Sequence, residues 1–495
     1  MMDILLHKVD EAFIRVECDP GIARELAEHL TFEVPGAKFS PAFKAKHWDG
    51  KIRLYNTRTN QIYHGLSYEV HRWGQEHDYA VESANAFDAT EEYSLTEAKE
   101  FSQSLGLPFE PHDHQLRAFA IAIRNKRCVL VSPTASGKSL ISYLITRYYD
   151  SRTLIIVPTI SLVHQLYSDF ADYGFLSDEF VHRIFGGQDK QTDKQIVIST
   201  WQSVFEMDKR FFESFDLIIG DEAHLFKAKS LTKIMTSMVN TKYRFGLTGT
   251  LDGLQVNELV LEGLFGPATK IISSRELMDQ GTLAELKIKV LVLNHPIAEA
   301  KKLKGGTYQD EIAHIISFEP RNKFIRNLTV SLKGNTLILY AYVEKHGAIL
   351  YDMIREKAGQ RKVFFVHGGV DGEEREAIRA IVEKEKDAII VASYGVFSTG
   401  INIKNLHNVI FASPTKSRVR TMQSIGRGLR VSDTKSSANL FDISDNLTIG
   451  NNKNFTLNHL IDRVKMYNSE GFAYEMHTIK LKESSNERSV LFKNE

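Results

Sequence analysis

Cysteine is almost missing from this chain: Cys18 and Cys128 are the two present in 495 residues. They lie far apart and Cys128 opens an apolar run, so neither a disulfide framework nor a zinc site is supported, and a reducing compartment fits. An excess of either charge is missing as well, with 62 Lys and Arg against 62 Asp and Glu. Proteins that coat duplex nucleic acid nonspecifically are usually basic overall, so phosphate binding here would have to come from local patches; the balance itself is neutral on the question. No uncharged run approaches the roughly 20 apolar residues of a membrane span, and Met1 to Phe13 holds acidic residues and no sustained apolar stretch. A soluble protein that is not exported is expected. Proline, at 11 residues, is scarce, while 43% of residues are apolar and 25% charged; that mixture excludes a disordered or fibrous chain. What remains is a globular protein too long for one core, for which about three domains is the prior.

From Cys128 the pattern becomes short apolar runs alternating with amphipathic segments, which predicts βα units and a mostly parallel sheet. Strands are expected at Cys128 to Ser132, Thr153 to Val157, Gln195 to Ser199, Asp216 to Gly220 and Arg244 to Thr248. After Ser139, Leu140, Ile141, Leu144, Ile145 and Tyr148 fall at helical spacing. The alternation restarts with strands at Thr336 to Tyr340, Lys362 to Val366, Asp387 to Ala392, Asn408 to Ala412 and Asn439 to Ile443. Between the two halves, Leu251 to Asn335 reads as linker and packing elements. The expected domains are 1–95, a smaller unit of different composition; 96–294 and 295–446, two α/β domains; and 447–495, a tail with one amphipathic segment, Leu457 to Tyr467, followed by polar residues that fray.

Ser132-Pro133-Thr134-Ala135-Ser136-Gly137-Lys138-Ser139 joins an expected strand to an expected helix. Backbone N–H groups there can cradle nucleotide phosphates, with Lys138 on the outer phosphates, the Ser139 hydroxyl on Mg²⁺, and Gly137 allowing close approach. One departure stands out: the general phosphate loop begins with Gly, and here that position is Ser132. Asp216 to Gly220 delivers Asp221-Glu222-Ala223-His224 to the carboxyl end of a strand, where ligands of open α/β sheets bind. Asp221 suits Mg²⁺ and Glu222 suits the attacking water. An acidic helix cap is the plain alternative, made less attractive by the phosphate loop upstream. In the second half, Gln423-Ser424-Ile425-Gly426-Arg427-Gly428-Leu429-Arg430 places Arg427 and Arg430 on one helical face. Supplied across a cleft they could act as arginine fingers; alone, two such arginines are usually a solvated face.

Taken in order, these strings resemble the motifs of superfamily-two helicases from Gln115 to Arg430. Gln115 resembles the adenine-reading glutamine. Val157-Pro158-Thr159 and Ser199-Thr200-Trp201-Gln202-Ser203 resemble strand-contacting motifs, and Leu247-Thr248-Gly249-Thr250 the motif that couples nucleotide state to domain movement. Ala392 to Gly400 resembles a motif touching both nucleic acid and nucleotide, and Gln423 to Arg430 the arginine-finger motif. Each fragment alone has a bland reading as a turn or helix start; their joint order does not. The resemblance implies two RecA-like parallel-sheet domains in tandem behind a small N-terminal α+β domain, with ATP and Mg²⁺ as cofactors. It assigns nucleotide binding to Gln115, Pro133 to Ser139 and Gly400, and metal binding to Ser139 and Asp221. Catalysis falls to Lys138, Asp221, Glu222, Gln423, Arg427 and Arg430, and coupling to His224, Thr248, Gly249 and Thr250. Pro158, Thr159, Thr200, Gln202, Ser393 and Thr399 are expected to hold strand phosphates, contacts that position without reading bases.

The N-terminal unit narrows the class. From Lys38 to Arg72, cations outnumber Asp49 and Glu69, and Phe39, Phe43, Trp48, Tyr55 and Tyr63 are interleaved. The aromatics are expected to form the core of the small domain, and Lys44, Lys46, Lys51 and Arg53 to contact DNA. Phe39, Phe43 and Trp48 to Leu54, with Leu303 to Gly305, Thr307 to Gln309 and, less closely, Ile461 to Arg463, resemble the recombination helicases of T-even-type phages. That likeness implies an enzyme acting on forks, Holliday junctions and R-loops in recombination, repair and replication restart. It also implies DNA with branched or single-stranded regions, RNA in R-loops, and single-strand-binding or recombination proteins as partners, a monomer, and the host-cell cytoplasm. An RNA helicase, a translocase subunit of a larger complex and a binding module with a vestigial ATPase are the rival readings. His224 where one large RNA helicase group has Asp weighs against the first, and intact Lys138, Glu222 and Arg430 against the last.

Overall fold

The computed structural model describes residues 2–34, 36–187, 189–399, 403, 405–428 and 437–482. They divide into two compact units, Met1–Ile272 and Ser273–Glu495. Among the described residues no helix is long and apolar enough to cross a membrane.

The first unit begins with strands β1 (Ile4–Lys8) and β2 (Phe13–Cys18), then β3 (Thr31–Glu33), β4 (Lys51–Arg53), β5 (Tyr55–Asn56), β6 (Gln61–Tyr63) and β7 (Val81–Ser83). Five of them form a mixed sheet in the order β5-β6-β2-β1-β7. Alternation puts Ile4 and Leu6 of β1 and Ile14 and Val16 of β2 on one face, where they meet Leu26, Val70 and Trp73 from two helices. β3 and β4 stand apart as an antiparallel ribbon. The expectation that the aromatics here are core holds in part. Tyr55 is buried and Tyr63 packs on the core, whereas Phe39 and Phe43 stay in solvent at 71% and 38% exposure.

β8 (Arg127–Val131), β9 (Thr153–Val157), β10 (Val181–Ile184), β11 (Ile196–Thr200), β12 (Leu217–Asp221), β13 (Tyr243–Thr248) and β14 (Ala268–Lys270) follow. They form one sheet in the order β10-β11-β9-β12-β13-β8-β14, parallel throughout. Helices cover both faces, which is why β9 and β11 are buried at every residue. The two strands not expected from sequence, β10 and β14, are its edges. An edge strand is half covered and carries no continuous apolar run.

The N-terminal domain is welded to this sheet. Leu259 of helix Gln255–Phe265 joins the N-terminal core, Tyr68 donates to the Glu262 carboxylate, and Arg127 donates to both the backbone and the carboxylate of Glu11 at 3.1 and 3.0 Å. At Gly65 a methyl group would lie 2.1 Å from the Glu262 carbonyl and 2.8 Å from that of Gly263. Backbone cannot yield as a side chain can, so Gly65→Ala is expected to lower stability by about 1–3 kcal/mol. Denaturant unfolding checks this, and an unchanged midpoint contradicts it.

The second unit holds β15 (Glu285–Asn294), β16 (Thr336–Tyr340), β17 (Val363–Val366), β18 (Ile389–Ser393), β19 (Asn408–Phe411), β20 (Ser437–Asn446) and β21 (Tyr474–Lys480), again all parallel, in the order β17-β18-β16-β19-β20-β15-β21. Two expectations are corrected here. β15 was assigned with the first α/β domain, ending at 294, yet it pairs with β20 along its full length, Glu285↔Ser437 to Asn294↔Asn446. The division falls at Ile272 instead. The tail does not fray directly after its helix: Phe455–Ser469 returns the chain to β21, which pairs with β15 from Ile288↔Tyr474 to Asn294↔Lys480.

Candidate active site

β8 delivers the loop from Ser132 into helix Lys138–Tyr149. Ser132 N–H donates to Thr248 O at 2.9 Å, tying the loop to the end of β13. The Ser132 hydroxyl, fully buried, donates to Ser136 Oγ at 2.6 Å, and Ser136 Oγ donates on to Pro133 O at 2.8 Å. These hydroxyl ties explain how serine serves where the general loop has glycine: Ser132 is not among the positive-φ residues, which here are Ala135 at 67° and Gly137 at 80°. Gly137 is required twice, by its left-handed backbone and because a methyl there would lie 2.0 Å from Gln115 Nε2. Gln115 Nε2 donates to Ser136 O at 3.1 Å and its Oε1 accepts from His112 N–H at 2.8 Å. The upstream glutamine therefore sits against the phosphate loop.

Lys138 Nζ folds over the loop and donates to Ser132 O and Pro133 O, both at 3.2 Å. Ser139 Oγ shares a hydrogen bond with Tyr173 Oη at 2.9 Å. Tyr173, absent from the sequence reading, is the residue that ends helix Ile160–Asp172; its ring lies edge-on to Tyr143 of the phosphate-loop helix and to Phe109. Burial pushes its phenol up. An isolated tyrosine 34 residues from Ser139 carries no sequence signal of this contact.

β12 ends at Asp221, whose carboxyl is pushed up to about 6 by burial and then by Glu222, with Lys138 pulling the other way. Its Oδ1 atom is buried and has no hydrogen-bond partner among the described residues. An acid kept in that state is a poor structural element and a suitable cation ligand. Glu222 follows at φ 50° and ψ 51°, a left-handed backbone that is uncommon for glutamate and is stored at functional positions. His224 Nδ1 lies 3.3 Å from Glu222 Oε2 and 3.0 Å from Thr248 Oγ1, which in turn donates to Thr250 O at 3.2 Å. A methyl on Gly249 would lie 3.7 Å from Thr134 N, so the Thr-Gly-Thr turn borders the phosphate loop. The first unit thus brings Gln115, the Pro133 to Ser139 loop, Asp221, Glu222, His224 and the Thr248 to Thr250 turn into one place.

The residues assigned to strand phosphates are placed less uniformly. Thr159, after Pro158, caps helix Ile160–Asp172, its Oγ1 accepting from Leu162 N–H at 3.4 Å. Gln202 is exposed. Thr200 differs from expectation: it is 5% exposed and its hydroxyl is engaged with Ser203 at 2.8 Å. Ser393, at the end of β18, accepts from Val396 N–H at 3.5 Å. Lys44, Lys46, Lys51 and Arg53 are exposed. Thr399 closes helix Tyr394–Thr399; its side chain, and Gly400 altogether, lie outside the described residues.

Helix Arg418–Gly428 carries Gln423 and Arg427 one turn apart; the side chain of Arg427, and all of Arg430, lie outside the described residues. What holds this helix was not expected. Arg463 donates to Thr415 O at 2.8 Å and to both oxygens of Asp442 at 2.9 and 2.8 Å, and Tyr467 donates to Asp442 at 2.8 Å, all of it buried. Arg321 donates to Ala412 O and to Asp445, each at 2.8 Å, and His295 bonds the same Asp445 oxygen. Burial pushes Asp445 up, but Arg321 and His295 outweigh it and hold it at about 2. Arg418 pairs with Glu470 at 3.0 Å. The signal was present in β20, an interior strand buried along most of its length that carries Asp442 and Asp445; buried acids of that kind need dedicated partners.

A phosphate loop, an Asp-Glu-Ala-His strand end and a Thr-Gly-Thr turn on one parallel sheet, with a second parallel sheet bearing the Gln423 helix, define a superfamily-two helicase. Residues 108–253 match the model for the type III restriction enzyme res subunit, 320–432 the helicase conserved C-terminal domain, and 3–83 the N-terminal domain of DNA helicase UvsW. The chain is 35% identical to the ATP-dependent DNA helicase uvsW of Enterobacteria phage T4, over 97% of its own length and 100% of that protein's. The crystal structure of T4 UvsW matches with a TM-score of 0.52 at 34% identity, again over 97% and 100%. This chain belongs to the UvsW family of ATP-dependent DNA helicases. More distantly, it is 26% identical to the DNA 3'-5' translocase XPB2 of Sulfurisphaera tokodaii, over 66% of this chain and 79% of that one. Dbp5 of S. cerevisiae, at 13% identity and a TM-score of 0.52 over 77% of this chain and 92% of its own, shares the fold.

Proposed function

We propose that the chain hydrolyses ATP to unwind or branch-migrate branched DNA, such as forks, Holliday junctions and R-loops, in recombination, repair and replication restart. The observation that carries the chemistry is the convergence of Lys138, Ser139, Asp221 and Glu222 at the carboxyl ends of β8 and β12. Lys138 gives up the carbonyls of Ser132 and Pro133 for the β and γ phosphates, Gln115 reads the adenine, and Glu222 orients the attacking water and accepts its proton. Ser139 and the unpartnered Oδ1 of Asp221 are the groups that would hold Mg²⁺. When bound there, the cation neutralises charge on the phosphates. His224 carries the change at Glu222 to Thr248 and Thr250. Gln423, Arg427 and Arg430 take the arginine-motif role by their place in the sequence, and Thr159, Gln202, Ser393 and Thr399 hold strand phosphates.

Tyr173 competes for the Ser139 hydroxyl in this arrangement. Tyr173→Phe keeps the ring packing and removes the competitor, so Mg²⁺·ATP should bind about two- to tenfold tighter, the worth of one hydrogen bond. Nucleotide titration checks it, and unchanged or weaker affinity contradicts it.

Substrate class is tested by comparing DNA-stimulated turnover and unwinding on forked DNA, plain duplex, an R-loop and an RNA duplex. The expected order puts the branched substrates first and the RNA duplex last. RNA duplex opened as fast as the fork would overturn the assignment.

A further inference from the structure

The ribbon of β3 and β4 ends in a tip, residue 34 and residues 36–50, that leaves the N-terminal core and carries two aromatic rings into solvent. Phe39 is 71% exposed and Phe43 38%. The tip is built around them. Ser40 caps the short helix Pro41–Lys44, its Oγ accepting from Phe43 N–H, Trp48 Nε1 donates to Lys51 O at 2.8 Å, and Val34 N–H donates to Gly50 O at 2.8 Å. Gly50, at φ 80°, lets the chain close: a methyl there would lie 3.0 Å from the Ala37 methyl and 3.1 Å from the Phe43 ring.

Charge around the rings is one-sided. Asp49, the one acid between Val34 and Arg53, is taken by Arg53. Lys38, Lys44, Lys46 and Lys51 have no ion-pair partner among the described residues, and Lys38 Nζ lies 5.3 Å from the centre of the Phe39 ring. A surface meant only for duplex phosphates needs the lysines and gains nothing from bare rings, because base faces in an intact duplex are already stacked. Exposed rings flanked by cations suit nucleic acid whose bases are open.

We propose that Phe39 and Phe43 form a stacking platform for unpaired DNA bases at a branch point, with Lys38, Lys44, Lys46 and Lys51 holding the phosphates on either side. This rests on the reading of the N-terminal domain as the DNA-recognition domain and names the site within it. Ring and cation contacts of this kind are tolerant of sequence, so the platform selects structure: a fork or flap over a plain duplex.

Deleting the domain is not a usable test, because that would bare Leu259 and leave the largely covered Arg127 without the Glu11 carboxylate. The full chain is therefore compared with three variants: Phe39→Ala with Phe43→Ala, Phe39→Trp, and Lys38→Ala with Lys44→Ala and Lys46→Ala. Two DNAs are used, a fork with 2-aminopurine at the junction and a blunt duplex of the same length. The phenylalanine double variant should bind the fork about tenfold more weakly and the duplex within twofold of wild type, with basal ATP turnover unchanged. Phe39→Trp should retain fork binding and alter the 2-aminopurine signal on mixing. The lysine variant should weaken both DNAs. Loss of fork and duplex affinity in equal measure by the phenylalanine variant, or no loss at all, overturns the platform. If the lysine variant still weakens both DNAs, the recognition role of the domain survives that result; if it too changes nothing, that role fails with it.

Discussion

Lys138→Ala should abolish ATP turnover, lowering kcat by on the order of 10²–10³ or more, while DNA affinity without nucleotide remains within a few-fold of wild type. The magnitude follows from removing a preorganised cation from a phosphate in transfer, where positioning and electrostatics supply most of the rate. The selectivity follows from placement. Among the described residues Lys138 Nζ bonds to the carbonyls of Ser132 and Pro133 on its own loop, and its loss leaves the Thr159 cap on helix Ile160–Asp172 and the exposed Gln202 where they are. Pro133 is partly exposed and its carbonyl recovers water, while Ser132 is fully buried, so the fold should lose no more than about 1–3 kcal/mol. Steady-state turnover with and without DNA, together with a binding titration, checks this; undiminished turnover would contradict the site assignment.

Arg463→Ala should be the most destabilising single substitution considered, at about 3–5 kcal/mol, because it leaves the Asp442 carboxylate buried and without its counter-ion. Asp442 has no exposed surface, and among the described residues Arg463 supplies two of the three hydrogen bonds to its carboxylate, the other coming from Tyr467. The same arginine also releases Thr415 O, which sits ahead of helix Arg418–Gly428. Tyr467→Phe, which removes one of these bonds, should cost about 1–2 kcal/mol, and Glu470→Gln, which touches only a partly exposed pair, should cost little. Chemical unfolding of the three variants tests the ranking. A midpoint for Arg463→Ala equal to that of Glu470→Gln would show that the buried network does not hold the helix.

The sequence was most readable where chemistry constrains residue type locally. The phosphate loop, Asp221 to His224 and Thr248 to Thr250 each sit at the end of a short, buried, near-continuous apolar strand, so period and motif pointed to the same residues. Legibility failed in three physical situations. Edge strands β10, β14 and β21 lack a continuous apolar run and read as loop or fraying tail. β15 was lost because the chain between the two halves looked like linker, and its pairing with β20, some 150 residues away in sequence, is non-local. Contacts made by single residues across long separations left no pattern: Tyr173 on Ser139, Glu11 on Arg127, Arg463 on Asp442. Ser132 shows the reverse case, an apparent departure from a motif that the fold absorbs through its bond to Ser136. Phe39 and Phe43 show why composition alone misleads, since aromatic residues in a small domain are usually core and these two are not.

The central claim is that turnover at the Lys138–Glu222 site drives strand separation. Its most direct test is a single-cycle unwinding measurement on forked DNA, with the full chain at saturating Mg²⁺ and either ATP or a non-hydrolysable analogue. The account predicts strand separation with ATP and none with the analogue, although both are bound. Equal separation with the two nucleotides would mean that the protein opens DNA by binding alone, and would contradict it.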